Sequence, residues 1–171
     1  MEKKDLIDTL QDDWRRERPD LDASAMGVVG RLVVLGELLK RRATDALSPF
    51  ELGYSDLDTL ATLRRSGPPF TLRPAALLNS VLIQSGSLTA CLDRLERKGL
   101  VERVAIPGDR RGRAVRLAPA GRELVDRAID ARFLDATDSV AALDPTERAT
   151  LETLLRRLLN AQQPTEGSTD A

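Results

Sequence analysis

The chain contains no histidine, one cysteine (Cys91) and 3% aromatic residues in 171 positions. Without histidine, the His-containing zinc sets, the Ser-His and Cys-His nucleophile pairs and imidazole acid–base chemistry are excluded. A single cysteine excludes an intramolecular disulfide. No apolar run approaches the ~18 residues of a membrane span. The N-terminal MEKKDLIDTLQDDW has no apolar signal core, so a cytoplasmic protein is expected. There is no Gly-rich phosphate loop, and no carboxylate cluster is arranged to face across helices. No metal or cofactor is expected, and an enzyme is disfavoured. Scarce aromatics also argue against a stacking platform for single-stranded nucleic acid.

What is present is Leu, Val and Ala, within a hydrophobic share of 42%. That mix favours helices over a β-sandwich. The net charge of −1 does not suggest a nucleic-acid binder, but its distribution does. From Asp93 to Arg122 there are nine basic and four acidic residues, a local excess of five that leaves the remainder six units negative. A basic segment on an acidic body suits phosphate binding at one face.

Asp5 to Arg18 places Leu6, Leu10 and Trp14 on one stripe of a helix too short to stand alone, so it packs on this chain or on a second copy. Ser24 to Leu47 reads as a long helix with Met26, Val29, Leu32, Val33, Gly36, Leu39, Ala43 and Leu47 on one face. Ser55 and Asp58 form a capping-box pattern for a helix burying Leu57, Leu60, Ala61 and Leu63, stopped by Gly67-Pro68-Pro69. Pro74 opens an uncapped helix running through Val81. A turn at Leu82 to Gln84 leads to a helix with Ser85 as its cap and Leu88, Leu92 and Leu95 inward: a helix-turn-helix. After Gly99, Leu100 to Ile106 alternates as a strand, Pro107-Gly108-Asp109 turns, and Arg113 to Leu117 pairs back as a two-stranded wing. Pro119 opens a long helix. Asp144-Pro145-Thr146-Glu147 starts another, with Leu151, Leu154, Leu155, Leu158 and Leu159 in register, and Gln162 to Ala171 reads as a disordered tail.

The expected fold is mainly α: a winged helix-turn-helix with long N- and C-terminal dimerisation helices and a two-stranded wing. The expected boundaries are an arm and dimerisation helix over 1–48, the DNA-binding domain over 49–118, the C-terminal dimerisation helices over 119–162 and a tail over 163–171. A helix followed by a basic hairpin can occupy the major groove while the hairpin reaches the minor groove. Candidate DNA contacts are Ser85, Ser87 and Thr89 on the first turn of the recognition helix, and Arg110, Arg111 and Arg113 on the wing. Asp109 is expected to order the wing by pairing with Arg111. Arg94 and Arg97 suit phosphate contacts or intramolecular ion pairs better than base reading. Cys91 lies one residue from the Leu88–Leu92–Leu95 face and reads as a half-buried small residue rather than a redox sensor.

The segments Leu92–Val104 (LDRLERKGLVERV) and Gly108–Leu124 (GDRRGRAVRLAPAGREL), led by Asp56–Pro69 (DLDTLATLRRSGPP), resemble the MarR family of bacterial transcriptional regulators. The resemblance spans roughly Asp22 to Gln162. It implies a homodimer that sets one winged helix into each half-site of a pseudo-palindromic double-stranded DNA operator. Trp14–Asp22 and Phe50–Phe70 further resemble the urate-responsive, HucR- and PecS-like branch of that family. That resemblance implies a repressor released by a small anionic or aromatic ligand held by Trp14 and Asp58. Arg65, with Arg64, is a further candidate for the ligand, or covers the end of its own helix. The chain departs from the branch at Thr89-Ala90-Cys91, where TNR or TKR is common. The alternative reading is a dimeric winged-helix interaction module that no longer regulates through DNA.

Overall fold

The computed structural model describes residues 3–81, 85–106 and 109–162, with the side chains of 85–87 and 109–111 outside the description. Two compact units divide the chain after Arg132.

In the first unit, α1 (Leu6–Glu17) is opened by a reciprocal capping box between Asp5 and Asp8. Its stripe is rotated relative to expectation. Ile7 and Gln11 face α2 (Ser24–Leu47), while Leu6, Leu10 and Trp14 point outward. The reason is the seat on α2. A Cβ on Gly27 would come within 2.8 Å of the Gln11 amide, and one on Gly30 within 3.0 Å of Ile7. Glycine at both positions lets the Gln11 and Ile7 side chains lie directly on the α2 backbone. Gln11 then donates to the Ala23 carbonyl at 2.8 Å, and Arg31 pairs with both Asp5 and Asp8. Along α2 only Gly27, Ala43 and Leu47 are buried, and the apolar face from Met26 to Leu39 stands exposed.

After a 3-10 turn (Ser48–Phe50) comes α3 (Tyr54–Arg65), which starts earlier than the Ser55–Asp58 pattern suggests. The cap is Gly53, whose N–H donates to the Asp56 carboxylate at 3.0 Å. Asp56 takes that place because α3 packs on α2, α4, α5 and β3 together, and its first turn lies inside the core. Thr59 and Thr62 are buried beside Leu57, Leu60 and Leu63 for the same reason.

Helix α4 is Pro74–Leu78 and stops short of the expected Val81; the Ser80 N–H bonds the Leu77 carbonyl as a turn. Its start carries no side-chain cap, as expected. The two strands of the wing are joined by a third that the sequence did not announce. Thr71–Leu72 (β1) pairs with β3 (Asp109–Leu117), which pairs with β2 (Val101–Ile106), all antiparallel in the order β1-β3-β2. Two residues between prolines were too few to announce a strand in the sequence.

Helix α5 (Ser85–Arg97) ends in a Schellman turn: Leu100 N–H to the Leu95 carbonyl and Gly99 N–H to the Glu96 carbonyl, each 2.9 Å. Gly99 takes the left-handed conformation this requires, at φ +68°. The backbone makes Ser85 the first residue of the helix; the turn at 82–84 lies outside the described residues, as does the Ser85 side chain. The core gathers Leu47, Leu60, Leu63, Leu77, Leu88, Leu92, Leu95, Val115 and Val125 beneath α5 and the sheet. Helix α6 begins at Pro119 and runs to Ser139.

The second unit holds the end of α6 and α7 (Pro145–Gln162). Asp144 accepts from the Thr146 and Glu147 N–H groups, and Glu147 accepts from the Asp144 N–H, a complete capping box. No α7 residue is buried, so Leu151, Leu154, Leu158 and Leu159 are exposed. The expected tail, 163–171, lies outside the described residues. Among the described residues no helix is long and apolar enough to cross a membrane, and no acidic or thiol group clusters as a metal site.

Candidate nucleic-acid interface

Helix α5 turns Leu88, Cys91, Leu92 and Leu95 into the core and leaves Thr89, Ala90, Asp93 and Arg97 exposed. The helical repeat places these on opposite sides, so the exposed face is what a groove would meet. It is short and only partly polar. Ser85 and Ser87 occupy its first turn, and their side chains are outside the described residues.

Two sets of ionic contacts fix α5. On the core side, Arg94 grips Asp56 of α3 through Nε (3.1 Å) and Nη2 (2.6 Å). Asp56 is 3% exposed. The Cys91 thiol donates to the same carboxylate at 3.3 Å and lies 3.4 Å from the Thr59 hydroxyl. Burial pushes the Asp56 carboxyl up, but the hydrogen bonds from Arg94, the Gly53 N–H and Cys91 outweigh it and hold it below the ordinary range. On the wing side, Arg103 of β2 reaches back to Asp93 (2.5 Å) and Glu96 (2.7 Å). Of the two roles open to Arg94, the structure therefore shows the ion pair. Arg97 is exposed, its Nε 3.3 Å from the Asp93 carbonyl.

Cys91 is fully buried, not half-buried. Its thiol is pushed up first by burial, then by the Asp56 carboxylate beside it, while Thr59 opposes the shift. A thiol so placed is a poor nucleophile. A soluble thiol reagent is expected to label it slowly in the native protein and quickly in denaturant. Equal rates would show that Cys91 is reachable and reopen the sensor role.

The arginines assigned to the wing lie on β3, which starts four residues earlier than the expected Arg113. The ladder runs regularly from Val101↔Leu117 to Ala105↔Arg113 and then jumps to Ile106↔Asp109. One step along β2 is thus matched by four along β3, a bulge in the register with Arg110, Arg111 and Gly112 between the two paired positions. Arg113 stays in register, with Nη1 3.2 Å from the Gly112 carbonyl. Arg116 is tied to Glu102 at 2.6 Å. The expected Asp109–Arg111 pair lies outside the described side chains.

The three ligand candidates come from two helices, α1 and α3. Trp14 is 53% exposed on the outer side of α1, and Asp58 is half-buried on α3. Arg65 donates to the Ser80 carbonyl at 2.5 Å. Arg64 pairs with Asp126 at 2.7 Å and stacks on Phe70, which Arg122 also faces. A cavity of about 310 Å³ opens beside the start of α3, lined by Gly36, Leu39, Lys40, Ala43, Tyr54 and Arg132. Trp14, Asp58 and Arg65 are not among its walls. Sequence reasoning missed Lys40, Tyr54 and Arg132 because they come from three separate segments, each ordinary in its own helix.

The model of the MarR family matches residues 52–112, the helix-turn-helix and most of the wing. The HTH-type transcriptional regulator PecS of Dickeya dadantii is 34% identical over 152 residues, which is 89% of this chain and 92% of PecS. A crystal structure of mutant MarR C80S from E. coli complexed with operator DNA superposes with a TM-score of 0.68. It is 26% identical and covers 91% of this chain and 99% of its own. Bordetella bronchiseptica BpsR, described for regulation of its DNA binding by 6-hydroxynicotinic acid, shares the fold. Its TM-score is 0.70 at 21% identity, covering 80% of this chain and 94% of BpsR. The extent of the PecS match, on a winged helix whose wing carries this arginine bulge, makes the chain a member of the MarR family of transcriptional regulators.

Proposed function

We propose that this regulator is a homodimeric repressor. Each protomer lays α5 in the major groove of one half of a pseudo-palindromic operator, and a small anionic or aromatic ligand releases it. The observation that carries the DNA reading is the bulge on β3. It holds Arg110 and Arg111 at the end of a basic hairpin, where arginine suits the narrow minor groove. Thr89, exposed at the start of the second turn, with Ser85 and Ser87 on the first, supplies hydroxyls for phosphates or base edges. Arg113 adds a phosphate contact, and Asp109 orders the hairpin. The operator complex of E. coli MarR supports this use of the fold.

Dimerisation is supported by the exposed apolar face of α2 and by the leucines of α7, more than a soluble monomer usually leaves bare. The ligand reading is supported by BpsR and by the cavity whose walls include the cations Lys40 and Arg132 and the aromatic Tyr54. A bound anion that favours one spacing of the two recognition helices biases the dimer away from the operator. Ala90, exposed on the recognition face and unable to hydrogen bond, favours the second reading of an interaction module with weak base readout.

The test is selection of duplexes from a random pool by the purified protein, followed by fluorescence anisotropy on the winner. Arg111→Ala is expected to weaken binding about 10- to 100-fold, the worth of one well-placed arginine contact. Its folding stability should be unchanged. Unchanged affinity would remove the wing from the interface and favour the interaction module.

A further inference from the structure

We infer that Asp56, which is buried away from any groove, is the positioning residue for the recognition helix: operator binding depends on it without contact to DNA. The inference rests on the DNA-binding reading above. Asp56 is 3% exposed, so its carboxylate reaches no phosphate, and its negative charge would repel one. Its position on α3 is fixed at two points. Its own backbone sits in the first turn, and its carboxylate accepts the Gly53 N–H at 3.0 Å. From that anchor the carboxylate holds two residues of α5 separated by three, Cys91 and Arg94.

Two grips one helical turn apart fix both the rotation of α5 about its axis and its slide along α3. Leu88, Leu92 and Leu95 bury α5 but do not specify a register to this precision, because apolar contacts are non-directional. Hydrogen bonds to a buried charge are directional and short-ranged. The recognition face is a small set of residues, Thr89, Ala90 and Arg97 among them, so a modest rotation moves a large share of it. Arg103 steadies the opposite flank of α5 through Asp93 and Glu96, which are exposed and solvated. The core-side grip is the stronger constraint, since its carboxylate end is buried while the Arg94 end is part-exposed.

The prediction separates positioning from folding. Operator affinity of the full chain is measured by anisotropy on the selected duplex and on a scrambled one, with stability followed by circular dichroism. Asp56→Asn keeps the size and one acceptor but removes the charge. It is expected to remain folded at 25 °C, lose at least ~10-fold in operator affinity, and bind the scrambled duplex as wild type does. Arg94→Gln should lose the same preference, and the double variant should be no worse than either single one. Additive losses, with the salt slope of Arg94→Gln reduced by about one unit, would instead make Arg94 a phosphate contact and overturn the inference. A folded Asp56→Asn with wild-type operator preference overturns it directly. If Asp56→Asn does not fold, Arg94→Gln decides on the same two readouts. Wild-type protein that selects no sequence takes down the DNA reading and this inference together; wild type that selects while the variants match it takes down only the latter.

Discussion

Replacing Gly121 by alanine is expected to destabilise the first unit by about 3 kcal/mol, the upper end for overpacking, measured by urea unfolding with circular dichroism. A Cβ there would lie 2.0 Å from the Leu100 carbonyl oxygen, 2.9 Å from its carbon and 3.1 Å from its Cα. No rotamer relieves this, because the obstacle is backbone. Leu100 has little freedom to retreat. Its carbonyl accepts the Ala118 N–H at 3.0 Å, its own N–H closes the turn after α5, and the next residue enters β2 opposite Leu117. The alternative is to shift α6, which carries Val125 and Ala128 into the core. A cost below about 1 kcal/mol would mean the two backbones are not this close.

The second large effect concerns association. Val33→Glu is expected to convert a dimer into a monomer with a folded core. Val33 is 62% exposed in the isolated chain and is flanked on α2 by Val29, Leu32 and Leu35, all exposed. Little in the protomer holds it, so folding should change by less than about 0.5 kcal/mol. In a two-fold dimer each substitution occurs twice. An uncompensated buried charge costs about 3–5 kcal/mol, so two raise the dimer dissociation constant by at least ~10⁴. Sedimentation velocity at micromolar concentration reads the change, and operator binding should fall with it because one half-site cannot hold the protein alone. A variant that sediments as a dimer would place the interface away from Val33.

The parts legible in the sequence were those with a local cause. Pro74, Pro119 and Asp144-Pro145 announced their helices because a proline at the first helical position or a capping carboxylate acts within four residues. Gly99 announced the end of α5 because the left-handed conformation has few alternatives. What was not legible has tertiary causes. Ser55–Asp58 and Gly53–Asp56 are both plausible caps, and the choice is made by Arg94 and Cys91, more than 30 residues away. The outward turn of Leu6, Leu10 and Trp14 depends on Gly27 and Gly30 of another helix, which accept Gln11 and Ile7. Strand β1 is two residues long and exists because β3 offers it an edge. The arginine-rich segment was legible as chemistry but not as geometry. Its composition marked the wing, whereas the bulge that holds Arg110 and Arg111 is a matter of pairing register. The resemblance to the MarR family rested on this stretch together with Asp56–Pro69 and Leu92–Val104, and the family model matches residues 52–112, which include the start of the stretch and both of the others.

If α5 and the wing read a specific DNA sequence as a symmetric pair, titration of the wild-type chain against its selected duplex and a scrambled duplex of equal length, at one physiological salt concentration, gives two protomers per duplex and a preference of at least ~10³ for the selected sequence. Equal affinity for the two duplexes, or binding by one protomer, would show that no such paired reading takes place.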